Sequence, residues 1–318
     1  MYPLRFTPGN PYPNWKFKDL YLITNPVSIP NYQHKLLLTW APGMADDFRD
    51  IRFAEVSGVK CSYYIESYVS RTSAVVWVNV PDANQAYMVV YYGNGQVISE
   101  SNGSNVFDFF DDFLGTTLNT SVWTKTSYGT AGVSGGILSF TGTSSGSYDS
   151  DIKSKSSIFK VNTVLESLCK GQVMGSDNWG GLGGYGSAII FVDIEYTGSG
   201  ATGQIQVGAN TQNCGLTNTI IQSYNIHSIT RNSTTSVIYK VAGITVTVTA
   251  SIPSVDHQIW LSHLYNTTTG YYDWVRVRKH VATEPSLALL VHKPNVLFQM
   301  VAITTPVLSG RSWGYLIW

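Results

Sequence analysis

Charge is what this chain has least of. Only 13% of its 318 residues are Asp, Glu, Lys or Arg, about half the usual share. Neither sign is in excess, since 20 Lys plus Arg meet 20 Asp plus Glu. With no basic surplus to neutralise a phosphate backbone, the composition argues against nucleic-acid binding. Cysteine is scarce as well. Cys61, Cys169 and Cys214 form no C-x-x-C pair, which removes zinc-ribbon and thioredoxin-like chemistry. Two arrangements stay open: a Cys169–Cys214 disulfide with Cys61 free, or three buried thiols. No stretch reaches the roughly 18 uninterrupted apolar residues of a membrane helix. Met1 to Lys18 lacks the apolar core of a secretory signal. The expectation is a signal already removed, or an exit by another route, such as inside a virus particle. Helical periodicity, heptads and internal repeats are missing.

What is present is apolar, aromatic and hydroxylated. The hydrophobic share is 43%, with 20 Tyr, 9 Trp and 29 Gly, which excludes disorder. With so few charges, the polar surface must be Ser, Thr, Asn, Gln and Tyr, a pattern of extracellular β-proteins. Ala74 to Val80 and Ala86 to Tyr92 are β-branched and aromatic runs. The second stops at Gly93-Asn94-Gly95, which is turn chemistry. Tyr21–Ile23, His34–Trp40, Ile51–Ala54 and Tyr63–Ile65 supply earlier strands. Ser99 to Asn105 reads as a linker. Beyond it the texture is richer in Gly, Ser and Thr. Strands recur there, with clean period-two alternation at Thr245 to Ala250. The fold class expected is all-β, two antiparallel β-sandwich (jelly-roll) domains over residues 1–106 and 107–284. A C-terminal apolar segment over 285–318, ending Trp313-Gly-Tyr-Leu-Ile-Trp318, completes the chain as an assembly or docking element.

Several words carry a family likeness. Trp15-Lys16-Phe17, Asp50 to Phe53, Tyr64-Ile-Glu66, Ala74 to Val78, Tyr91 to Asn94 and Phe107 to Phe113 make the first hundred residues resemble the domain-of-unknown-function family 2341. The second domain resembles a concanavalin A-like (laminin G-like) jelly roll. It opens on Phe110-Asp-Asp-Phe113 with Leu118 to Trp123, and it closes on Tyr272 to Arg278 with Glu284-Pro285. The resemblance implies a secreted or surface protein of microbes or their viruses, with adhesive or glycan-binding roles. It also implies a calcium site where the opening Asp pair meets an Asp of the last strand, at Asp111, Asp112 and Asp273. Their alternative is strand-end capping or pairing with Arg276 and Arg278. Asp149 and Asp151 are a weaker calcium candidate.

The same opening and closing words occur in laminarinase-type glycoside hydrolases, which carry E-x-D-x-x-E on one strand. Retaining hydrolysis needs two carboxyl groups about 5–5.5 Å apart, and alternate residues of a strand share a face. Here only Asp193-Ile-Glu195 approaches the pattern, with Phe191 at the first position. A solvated strand face is the favoured reading of that pair. No G-x-S-x-G elbow and no H-x-x-x-H spacing occurs. Gly180 to Gly184 is expected to be a loop. It places Asp177, Asn178, Trp179 and Tyr185 together, the aromatic and amide chemistry of a shallow sugar site; core plugs are the alternative for Trp179 and Tyr185. Four sequons, at Asn102, Asn119, Asn232 and Asn266, are candidate glycosylation sites.

The functional expectation is a non-enzymatic extracellular surface or structural protein. It would belong to a virion or surface filament, recognise glycans, and contact itself or other subunits through residues 285–318. A stand-alone carbohydrate-binding module is the alternative, and a laminarinase-type hydrolase the third reading.

Overall fold

A computed structural model of the chain describes residues 9–125, 130–141, 150–171, 179–193, 196–197, 200–201, 203–264, 269–294, 300–301 and 316–317. In chain order the strands begin β1 (Phe17–Thr24), β2 (Tyr32–Thr39), β3 (Arg52–Glu55), β4 (Lys60–Val69), β5 (Ser73–Val80) and β6 (Tyr87–Tyr92). Next come β7 (Phe109–Asp111), β8 (Trp123–Lys125), β9 (Thr130–Ser134), β10 (Ile137–Thr141), β11 (Ser150–Ser154), β12 (Thr163–Lys170), β13 (Trp179–Tyr185) and β14 (Ile190–Asp193). After these lie β15 (Tyr196–Thr197), β16 (Gly200–Ala201), β17 (Gln204–Val207), β18 (Asn210–Asn213), β19 (Asn225–Asn232), β20 (Ser236–Val241), β21 (Ile244–Val248), β22 (Gln258–Leu264) and β23 (Thr269–Lys279). The chain ends on β24 (Ser286–Pro294), β25 (Met300–Val301) and β26 (Leu316–Ile317). The protein is all-β, and its one described α-helix, Asn218–Gln222, is five residues long.

The chain divides into two units, one of residues 1–106 with 283–318 and one of residues 107–282. In the first, the strand order is β2-β5-β4-β3-β6-β1-β24. Alternation builds it. Along β5, Val76, Val78 and Val80 turn to one core with Leu36 and Leu38 of β2, Tyr63 of β4 and Met88 and Val90 of β6. Each such side chain contributes about 1.5–3 kcal/mol on burial. The predicted turn at Gly93 is confirmed and explained: its φ is 91°, where glycine carries no penalty. Its amide donates to Asp50 Oδ2 at 2.8 Å, while Asp50 Oδ1 accepts from Ala45 N at 2.9 Å.

Residues 285–318, expected to be an assembly or docking element, contribute β24 to the first unit as its last strand, antiparallel to β1. A polar tie supports this pairing. His292 Nδ1 lies 2.8 Å from Asp19 Oδ1 and 2.7 Å from the Tyr92 hydroxyl.

The second unit is a sandwich of two sheets. One runs β21-β20-β19-β12-β23-β10-β9, with β7 added on β23, and the other β18-β17-β14-β13-β22-β11-β8. Their shared core includes Leu165, Ile229, Tyr239, Val275 and Val277 from the first sheet. Leu182, Ile190, Val192, Ile205, Ile259 and Leu261 come from the second. All three cysteines are free and buried, the second of the two arrangements. Burial pushes the Cys169 thiol up to about 12.

Candidate functional site

The second sheet of the sandwich has a face turned away from the core, and period two decides what stands on it. Ile259 and Leu261 of β22 point inward, so Trp260 and Ser262 point outward. The same rule turns out Asp151 and Lys153 around Ile152, Phe191 between Ile190 and Val192, and Gln204 and Gln206 around Ile205. The ladder then sorts these residues into rows. Lys153 lies opposite Trp260, Trp260 opposite Gly183, Gly183 opposite Phe191 and Phe191 opposite Gln206. The neighbouring row runs Asp151, Ser262, Gly181, Asp193, Gln204.

The expectation of a loop at Gly180 to Gly184 is corrected: these residues form the middle of β13. Glycine there serves close approach rather than turning. A Cβ on Gly181 would collide with the Val192 carbonyl, and one on Gly183 with the Ile190 carbonyl. Because Gly183 carries no side chain, the rings of Trp260 and Phe191 meet across it. Their centroids are 4.5 Å apart with planes at 38°. Tyr185 meets Trp260 edge-on at 5.4 Å and is 41% exposed.

Polar groups fix this aromatic cluster. Trp260 Nε1 donates to Asp151 Oδ2 at 3.0 Å. Lys153 Nζ is 2.9 Å from the same oxygen and 4.0 Å above the Tyr185 ring, a cation–π contact. One positive and one negative group thus offset each other beside three rings. Rings backed by amide, hydroxyl and carboxylate groups suit a polar ligand with apolar faces, which is the chemistry of a sugar.

Of the residues singled out in the sequence, Tyr185 joins this cluster. Trp179 opens β13 opposite Leu264. Asp177 and Asn178 lie outside the described residues, as do Glu195 and Asp149. Asp193 is in β14 opposite Gly181 and Gln204. Sequence reasoning missed Trp260 and Lys153. The signal available was the alternation of Gln258, Trp260 and Ser262 with Ile259 and Leu261 along β22.

The calcium candidates fall elsewhere. Asp111 Oδ2 accepts from Trp123 Nε1 at 2.6 Å and Oδ1 from Phe113 N at 2.8 Å; burial raises its pKa. Burial, then the nearby Asp112 carboxylate, raises that of Asp273. Among the described residues, no three His, Cys, Asp or Glu side chains are grouped to hold a metal ion. Arg276 and Arg278 pair instead with Glu166, at 2.7 and 3.3 Å. Of the sequons, Asn102 and Asn119 are exposed and Asn232 is half-buried; Asn266 lies outside the described residues.

Comparison with known proteins adds three findings. A family model described as a domain of unknown function, DUF2341, matches residues 47–126. No curated protein sequence matches. Solved structures similar to the chain include a β-glucanase of Bacillus licheniformis, with 20% identity, 54% of this chain and 98% of that chain covered, and a TM-score of 0.42. An endo-β-1,3-glucanase of Pyrococcus furiosus has 15% identity, coverage of 56% and 95%, and a TM-score of 0.46. A structure reported with endo-acting O-glycanases of human gut microbiota members has 14% identity, coverage of 55% and 100%, and a TM-score of 0.44. At these identities the likeness concerns fold and nothing finer. The expectation of a non-enzymatic protein is withdrawn: the named neighbours are glycan-cleaving enzymes, and what the chain shares with them is fold.

Proposed function

We propose that the second unit recognises carbohydrate on the outer face of its β13–β14–β22–β11 sheet. The observation that carries this is the cluster of Trp260, Phe191 and Tyr185, held from one side by Asp151 and Lys153. The test is a panel of neutral hexasaccharides of glucose, galactose and mannose, titrated calorimetrically. Trp260→Ala should weaken the best of them about thirty-fold, the ~2 kcal/mol of a hot-spot aromatic. Trp260→Phe should retain most of the affinity. Equal affinity for wild type and Trp260→Ala would remove this face from the reading. Analysis of the same incubations for shortened oligosaccharides establishes whether a bound chain is also cut.

In this reading the protein works outside the cell, on a virion or surface filament, and contacts other subunits through residues 285–318. Support comes from β24, a strand at the end of its sheet, whose Leu289 and Leu290 are 53% and 39% exposed. Open strand edges invite pairing, and edge lysines prevent it. Leu289→Lys with Leu290→Lys should abolish self-association in light scattering and leave the melting curve in place. Assembly that survives both charges would refute the contact.

A further inference from the structure

We infer that Asp151 and Ser262 form a notch beside Trp260 that reads a single hydroxyl group of the bound sugar. This rests on the carbohydrate reading of the same face. Ser262 is directly opposite Asp151 across the β11–β22 ladder and two residues beyond Trp260. Its residue is 1% exposed, yet its Oγ has no hydrogen-bond partner. The Asp151 side chain is 12% exposed. Its Oδ2 serves Trp260 and Lys153, while its Oδ1 is buried and also without a partner. Buried polar atoms are nearly always satisfied, and each exception asks for a reason. Here two exceptions sit on one ladder pair, next to the rings of the proposed site.

The chemistry of the two oxygens selects the missing group. An ionised carboxylate only accepts, whereas a serine hydroxyl donates or accepts. A group between them must donate to Asp151 and can accept from Ser262. A sugar hydroxyl does both at once. An ionised carboxylate, sulfate or phosphate has no hydrogen to donate to Asp151, so the notch selects the hydroxyl of a neutral sugar. In the free protein a water can hold the place and be displaced by a hydroxyl that repeats its hydrogen bonds.

The experiment is titration of wild type, Ser262→Ala, Asp151→Asn and Trp260→Ala with the best-binding neutral hexasaccharide of the panel and with its singly deoxygenated derivatives. Ser262→Ala should bind about ten-fold more weakly, the loss of one hydrogen bond, with a melting temperature equal to or above wild type. A serine with a merely structural role would lower it. One deoxygenated derivative should bind wild type about ten-fold more weakly than the parent sugar does. Ser262→Ala should distinguish that derivative from the parent sugar far less than wild type does. Should Ser262→Ala fail to fold, the near-isosteric Asp151→Asn reads the same loss. Wild-type affinity in both variants, with binding abolished by Trp260→Ala, overturns the notch and leaves the carbohydrate face standing. Binding that survives Trp260→Ala, or wild type that binds no member of the panel, overturns both.

Discussion

With Glu166 replaced by alanine, the unfolding transition of the second unit should fall by roughly 10 °C, a loss of about 3–5 kcal/mol. Glu166 is buried on β12 with both oxygens engaged. Arg276 Nε donates to Oε2 at 2.7 Å, and Arg278 Nε and Nη2 each lie 3.3 Å from Oε1. The Arg276 guanidinium is 4.9 Å from the Phe107 ring and 4.4 Å from that of Trp274, and its residue is 1% exposed. Removing the carboxylate strands that cation away from water. Removing Arg276 together with the carboxylate leaves only Arg278, whose side chain is 12% exposed, without that partner, so Glu166→Leu with Arg276→Met should cost less than Glu166→Ala alone. Calorimetry resolves the point, because the transition of the first unit serves as an internal reference. Equal losses in the single and double variants would show that packing, not the unpaired charge, sets the effect.

Acid should destabilise both units through buried histidines, His34 in the first and His227 with His257 in the second, all three with pKa values that burial lowers. Burial pushes the pKa of His34 down to about 4, with Glu284 opposing, and burial alone takes that of His227 to about 4. The unfolded chain binds a proton near 6.5, before the folded one does. Stability is therefore whole above pH 6.5, falls as the pH drops, and stops falling below about 4. His34 and His227 each account for roughly 3 kcal/mol over that window. Geometry gives the reason. His227 Nδ1 is 2.7 Å from the Tyr239 hydroxyl, while its Nε2 is buried without a partner, so a second N–H would find no acceptor. Asp19, Asp111 and Asp273, whose pKa values burial raises, work in the opposite direction. The contribution is isolated by difference: His227→Asn should reduce the pH dependence of the second unit's melting temperature, His257 supplying the remainder, and His34→Asn should reduce that of the first. Curves parallel to wild type would refute it.

The strands β1 to β6 of the first unit were legible because their β-branched and aromatic runs end at turn residues, and all six lie close to where the sequence places them. The glycines of β13 were misread because a run of glycine signals a turn. In the structure they answer instead to a neighbouring backbone too close for any Cβ. The site was half legible. Tyr185 stood out among glycines, but Trp260, Lys153 and Asp151 come from segments over a hundred residues apart. Only the register of β11 on β22 brings them together, and register between distant strands leaves no trace in local composition.

The pairing of β1 with β24 spans 262 residues at its Thr24–Ser286 end. On the ribosome, the first unit therefore emerges without its closing strand and keeps one edge of β1 unpaired. The second unit, contiguous from Phe107 to Ala282, is complete and free to fold before β24 appears. Domains generally fold as units during synthesis, N-terminal ones first; here the order of completion is reversed. The edge of β1 that β24 will cover stays open for as long as translation of the intervening segment takes.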